Sequence, residues 1–198
     1  MQEAKGGDRR VRKTRRVLRQ ELVRLMERKS VQDITVKELC AACDLNRGTF
    51  YAHYTDIYQL LASIEAEMLA EFEQVLGGLA VPPAQQVKMW QGAQPSPALC
   101  ALFRFLADNE DMCRVLLCNN GDMAFVEQVK QLVRQRVMDG EHIEALGGAE
   151  RGEYVYSFVV SGCVGLLQYW LGQGTPLSPD EMAAMVQGIL AKGVAALM

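Results

Sequence analysis

Histidine is nearly missing from this chain: His53 and His142 are the whole supply in 198 residues. That scarcity removes the commonest catalytic base and metal ligand. No G-x-S-x-G, P-loop, Rossmann glycine set or metal triad is present, so a nucleophile–base pair would have to be built without any motif around it. Neither catalysis nor a cofactor or metal is expected. Also lacking is an apolar run ahead of Val17-Leu18, so the charged N-terminus does not read as a signal peptide. The six cysteines (Cys40, Cys43, Cys100, Cys113, Cys118, Cys163) show no paired framework. Cys40-x-x-Cys43 has no second pair to complete a zinc site and falls on an apolar helix stripe, which favours packing. Cys113 and Cys118 flank a helix end, with nothing in the sequence to lower a thiol pKa. Unpaired thiols and no leader predict a cytoplasmic location.

What is present is concentrated between Ile34 and Leu61, ITVKELCAACDLNRGTFYAHYTDIYQLL. Thr35 stands three residues before Glu38, the spacing of a capping box, and predicts a helix from Val36. Val36, Leu39, Cys40 and Cys43 form its apolar stripe. Asp44-Leu45-Asn46 breaks the period, with Leu45 as the buried plug of a turn and Asn46 as the next N-cap. A second helix then runs from Arg47 to about His53. Phe50 and Tyr54, four apart, can point inward. Arg47, Gly48, Thr49, Tyr51 and His53 remain on the other side, a set suited to phosphates and base edges. Gly48 in so short a helix costs about 1 kcal/mol in propensity. It makes sense where another backbone, such as a DNA strand, comes close.

These residues resemble the tetracycline-repressor (TetR) family of bacterial transcriptional regulators. The resemblance rests on Thr35-Val36-Lys37-Glu38 and on Arg47-Gly48-Thr49-Phe50-Tyr51-Ala52-His53-Tyr54, and covers about the first 75 residues. The Thr55-Asp56-Ile57-Tyr58 corner is similar to a subgroup common in low-GC Gram-positive bacteria. The resemblance implies an all-α protein: an N-terminal three-helix helix-turn-helix domain plus a C-terminal helical bundle for dimerisation and ligand binding. It implies Thr35, Lys37, Arg47, Thr49, Tyr51 and His53 as DNA-contacting residues; Gly48 joins them as a point of close approach. One departure stands out. Many members carry a phosphate-gripping lysine where Ile57 stands here, which would leave phosphate binding to the helix N-terminus and Tyr58.

Charge agrees with a nucleic-acid-binding head. Residues 1–60 hold 13 Lys/Arg against 8 Asp/Glu, and the rest hold 8 against 16, within a total of −3. Residues 1–8 read as a disordered tail. From Arg9 a helix carries Val11, Leu18, Leu22, Leu25 and Met26 on one stripe. Arg9, Arg10, Arg12, Lys13, Arg15, Arg16 and Arg19 lie elsewhere on it, a candidate phosphate-contacting arm. Residues 9–55 would form the DNA-binding domain. Residues 56–76 would be a connecting helix capped by Asp56 and ended by Gly77-Gly78. Residues 77–198 would be the regulatory and dimerisation domain. Four of the six prolines fall in 77–97, the expected boundary, with a short helix at 84–90 between them.

Four more helices are expected: about 97–117, 123–138, 153–171, and one opening at Ser178-Pro179 with Glu181 at N3. From Tyr154 to Leu171 no residue is charged. Eighteen residues touch the lower limit for a membrane span, but interior polar and small residues and no basic flank argue against one. A helix apolar all round is otherwise a buried one. Ser161, Gly162 and Gly165, with an Ala- and Gly-rich last helix, predict a four-helix interface between two copies. The expected partners are thus a double-stranded DNA operator, a second copy and a small-molecule effector, with no membrane. Trp90, Phe103, Phe105, Met112, Phe125, Tyr169 and Trp170 could line an effector pocket, yet each alone reads as core. Net charge would favour a neutral or cationic effector.

Overall fold

The computed structural model describes residues 3–80, 94–118, 123–137, 141 and 148–195. Among the described residues every regular element is helical. Two compact units divide the chain, Met1–Met68 and Leu69–Met198.

The first unit begins with α1 (Glu3–Met26). It starts six residues before the predicted Arg9, inside the stretch read as a disordered tail. Once nucleated by the amphipathic part, a helix gains one hydrogen bond per residue it extends. Leu18, Leu22, Val23 and Met26 are buried; Val11 and Leu25 are half-buried. A 3₁₀ turn (Val31–Asp33) leads to α2 (Val36–Ala42). Lys29 closes this corner, donating to both Glu38 carboxylate oxygens at 2.5 and 2.6 Å and to the Asp33 carbonyl at 3.1 Å. The end of α2 is a Schellman motif. Leu45 N–H bonds the Cys40 carbonyl at 2.9 Å and Asp44 N–H the Ala41 carbonyl at 3.3 Å. Asp44 takes the left-handed conformation, φ 52°, that this motif requires. Leu45, predicted to be buried, is half-exposed, because it sits just past the helix rather than under it.

Next come α3 (Arg47–Tyr51) and α4 (Ile57–Leu76). The second helix of the motif is thus five residues long and ends before the predicted His53. Ala52 and His53 form a turn held by His53 N–H to the Phe50 carbonyl, 2.9 Å. Asp56 caps α4 as expected: its Oδ1 accepts from the Gln59 amide at 2.7 Å, and the Gln59 side chain accepts from the Thr55 amide at 2.6 Å. Leu18, Leu22, Leu39, Phe50, Leu60 and Ile64 are wholly buried in this unit.

α4 runs across the division between the units. Its residues through Met68 belong with the first unit and those from Leu69 with the second. After a 3₁₀ turn (Gly77–Leu79), the predicted helix at 84–90 lies outside the described residues. The second unit continues with α5 (Pro97–Asp108) and α6 (Glu110–Leu117). Sequence periodicity predicts one helix here; Asn109 splits it. Its side chain donates back to the Phe105 carbonyl at 2.9 Å, and Glu110 and Asp111 then sit in a new first turn where acidic residues are favourable. α7 (Met123–Val137), α8 (Ala149–Gly172) and α9 (Pro179–Ala195) follow. α8 opens four residues before the predicted Glu153, from Gly148 at φ 93°. α9 begins with a full capping box: Ser178 Oγ accepts from the Glu181 amide at 3.3 Å, and Glu181 accepts from the Ser178 amide at 2.8 Å.

α5 packs on α9, and α6 on α8. Phe103 meets Trp170 edge to face at 5.6 Å, and Trp170 is pinned by Nε1–H donation to the Leu177 carbonyl at 3.0 Å. Gln187 is a buried polar tie from α9 to the segment entering α5. It accepts from the Ser96 amide at 2.7 Å and donates to the Gln94 carbonyl at 2.9 Å.

α8 is not the buried helix that its apolar sequence predicts. Tyr154, Phe158 and Tyr169 are 73%, 80% and 73% exposed, and on α9 Ile189 is 57% exposed. Length and composition alone would let residues 150–172 cross a membrane.

Candidate functional site

The helix-turn-helix face is built on Phe50. With no exposure, it fixes the roll of the five-residue α3, and Tyr54 (ring centroids 5.9 Å away) holds its far end. Truncating such a side chain to Ala costs about 3–5 kcal/mol. With Phe50 inward, Arg47, Gly48 and Tyr51 are exposed and Thr49 and His53 half-exposed. Tyr51 stands edge-on to Phe50 at 5.5 Å, so its ring is braced while its hydroxyl is free to reach outward. Asn46 caps the helix, its Oδ1 accepting from the Gly48 amide at 2.8 Å. Gly48 has no packing reason to be glycine: an added Cβ would lie 3.5 Å from the Asn46 Oδ1, an ordinary contact, and its φ is not left-handed.

On α2, Thr35 and Lys37 are exposed. Thr35 is the N-cap, accepting from the Glu38 amide at 3.2 Å. Glu38 is held below the ordinary carboxylate range, first by its hydrogen bond to Lys29 against a smaller opposing effect of burial. The Lys29 charge and the Thr35 amide act the same way. Lys29 went unnoticed in the sequence. The signal was available: a lysine in the connection between the first two helices, before an acidic N3 residue.

Of the basic arm, Arg9, Arg10, Lys13, Arg15 and Arg16 are exposed, whereas Arg19 is turned to an ion pair with Glu67. At the corner of α4, Ile57 is buried and Tyr58 is 58% exposed. Asp56 already occupies the Gln59 amide, so the α4 N-terminus offers an anion less than the sequence suggests, and Tyr58 is the remaining polar group.

The Cys40–Cys43 pair is chemically quiet. Burial pushes both thiols up, Cys43 to about 11, with the Glu21 charge and Cys40 adding to the effect. Burial raises Cys113 to about 12 and also lifts Cys118 and Cys163. Among the described residues no cluster of ligands could hold a metal ion.

The second unit holds two apolar spaces. An inner cavity of about 120 Å³ lies among the second half of α4, α5, α7, α8 and α9. Among the described residues phenylalanine, leucine, valine and Cys163 line it, with no oxygen- or nitrogen-bearing side chain. Of the aromatic residues that could line a pocket, Phe103 reaches it; Phe125 and Trp170 are buried elsewhere, Tyr169 faces outward and Trp90 lies outside the described residues. An outer groove of about 610 Å³ runs along the α8–α9 face beside Tyr154, Phe158 and Ile189. The small residues Ser161, Gly162 and Gly165 mark this face in the sequence, whereas exposed Tyr154, Phe158 and Ile189 are not distinguished there by type from core residues. The spacing of Tyr154, Phe158, Ser161, Gly165 and Tyr169 was the available sign of a single outward stripe.

Residues 93–192, half of the chain, match the TetR-type family model for the C-terminal region of a transcriptional regulator. No curated protein matches the sequence. Among solved structures, a TetR transcriptional regulator from Streptococcus agalactiae is similar over 94% of this chain and 98% of its own, with TM-score 0.63 and 18% identity. The dihydroxyacetone kinase operon activator DhaS is similar over 93% and 97%, with TM-score 0.57 and 16% identity. NalD, the secondary repressor of the MexAB-OprM multidrug efflux pump in Pseudomonas aeruginosa, is similar over 92% and 97%, with TM-score 0.55 and 18% identity. At these identities the likeness establishes the fold. With half the chain inside the family model, the protein belongs to the TetR family of transcriptional regulators, which are DNA-binding transcription factors and not enzymes.

Proposed function

We propose that the protein is a homodimeric repressor that binds a double-stranded operator through Thr35, Lys37, Arg47, Gly48, Thr49, Tyr51 and His53, and that a small molecule in the C-terminal unit releases it. The observation that carries this reading is the outward face of α3. An arginine, a bare backbone at Gly48 and a braced phenol stand exposed over a fully buried Phe50. Basic residues on α1 add phosphate contacts, each contributing to the salt dependence of binding. Residues 9–55 serve as the reading head, α4 as the connector, and the remainder as the regulatory body, in the cytoplasm where operator DNA is.

Self-association is supported by the α8–α9 face. Gly162, Gly165 and Gly193 are exposed, and a Cβ on any of them would meet nothing within the protomer. Their smallness, beside exposed Phe158 and Ile189, fits the close approach of a second copy. Two heads then read half-sites about 34 Å apart. An activator is the alternative direction of control, since DhaS, a similar fold, is by its name an operon activator.

Arg47→Ala and Tyr51→Ala test the reading face. Loss of a base contact relaxes specificity at one operator position and costs about 1–3 kcal/mol. Loss of a phosphate contact weakens all sequences alike and lowers the salt slope by about 1. Unchanged binding in both variants refutes the assignment.

A further inference from the structure

The inner cavity and the outer groove are separated by a single layer of side chains. Val159 and Cys163 on α8 and Val186 and Leu190 on α9 line both spaces. We propose that the cavity takes a small uncharged apolar molecule of about benzene size, and that this ligand weakens self-association through the wall that cavity and groove share. The inference rests on the reading of the α8–α9 face as the seat of a second copy.

The chemistry of the ligand follows from the lining. Among the described residues no side chain bearing nitrogen or oxygen faces the cavity, so a carboxylate or ammonium inside it would lose hydration with no partner there, a large cost. Cys163, whose thiol burial keeps protonated, adds no charge. Of the neutral and cationic effectors that net charge favours, this lining suits the neutral one. At about 120 Å³ the space compares with the engineered apolar cavity of about 150 Å³ that stays dry and binds benzene.

The regulation follows from the wall. Packed interiors are dense and transmit displacement rather than absorbing it. A guest larger than the resting cavity moves Val159, Cys163, Val186 and Leu190 outward, into the groove where the second copy seats. Association and ligand binding are then linked reciprocally, with coupling typically about 5–150-fold.

The experiment uses the full chain and toluene as probe, with benzoate and benzylamine as charged counterparts. Binding is read by calorimetry and association by sedimentation. Val133→Phe fills the cavity from a residue that does not touch the groove; Val133→Leu replaces it if the larger side chain prevents folding. The expected result is toluene binding in the wild type only, no binding of either charged compound, and a dimer dissociation constant raised at least about fivefold by toluene. Absence of toluene binding overturns the ligand class. Binding that leaves association unchanged overturns the coupling through the wall, and binding that persists in the filled variant overturns the cavity as its site. A chain that is monomeric without toluene overturns the dimer reading instead, and is told apart because the calorimetry still reports on the cavity.

Discussion

Replacing Gly48 with alanine separates what folding needs from what binding needs. Gly48 is the second residue of α3 and is exposed. Its amide keeps the Asn46 cap in either residue, and the new methyl carbon would sit 3.5 Å from the Asn46 Oδ1 without displacing anything. Alanine should therefore recover helix propensity of about 0.5–1 kcal/mol. For a chain of this size each kcal/mol shifts Tm by roughly 2–4 °C, so the variant should melt about 1–4 °C higher. DNA binding should move the other way. A methyl between the α3 backbone and a phosphate or base edge lifts the helix from its contacts, and one good contact is worth about 1–3 kcal/mol, or roughly 5–150-fold in Kd. Thermal melting and fluorescence anisotropy on one operator duplex read both effects. A variant that melts higher and binds as well as the wild type refutes the idea that DNA approaches this backbone. One that melts lower refutes the account of the cap.

Three further outcomes follow from the same geometry. Because the Glu38 pKa is lowered in the folded protein, its stabilisation is complete above the unfolded value of 4.5 and is lost as pH falls through the folded one. Glu38→Gln should thus melt lower than the wild type at neutral pH, and the gap should shrink as pH falls below 4.5 through the lowered folded-state pKa; a gap that does not shrink in acid contradicts the Lys29–Glu38 pairing. Phe158→Asp, at an 80% exposed site, should fold normally and shift sedimentation to the monomer, raising the dimer Kd by about 30-fold or more as for a central interface aromatic, about 2 kcal/mol. Gln187→Ala should lower stability by about 1–3 kcal/mol, since it leaves the buried Ser96 amide without its acceptor; an unchanged urea midpoint denies the tie between α9 and α5.

Local signals in the sequence were legible wherever a few adjacent residues decide the structure. The caps at Thr35, Asn46, Asp56 and Ser178, and the inward Phe50 and Tyr54, needed only spacing and hydrogen-bonding capacity to be recognised. Asn109 was misread because periodicity is blind to a side chain that turns back on its own helix. Gly148 moves a helix start for a different reason: its backbone at φ 93°, and not hydrophobic pattern, sets that end. The small residues of α8 suggest a meeting of two copies, but an apolar sequence alone does not show which of its large side chains are exposed, because burial in one copy and burial between two copies select the same residues. The inner cavity was beyond reach, since its walls come from helices more than 80 residues apart in the chain, such as Leu99 and Val186.

Binding to fragments of the source genome, including the region upstream of its own gene, at about 50 and 200 mM salt tests the central claim most directly. The account predicts a few fragments bound at nanomolar Kd, with affinity falling roughly a thousandfold or more between the two salts, as expected for 6–10 phosphate contacts. Weak binding that is equal for all fragments at both salts would contradict it.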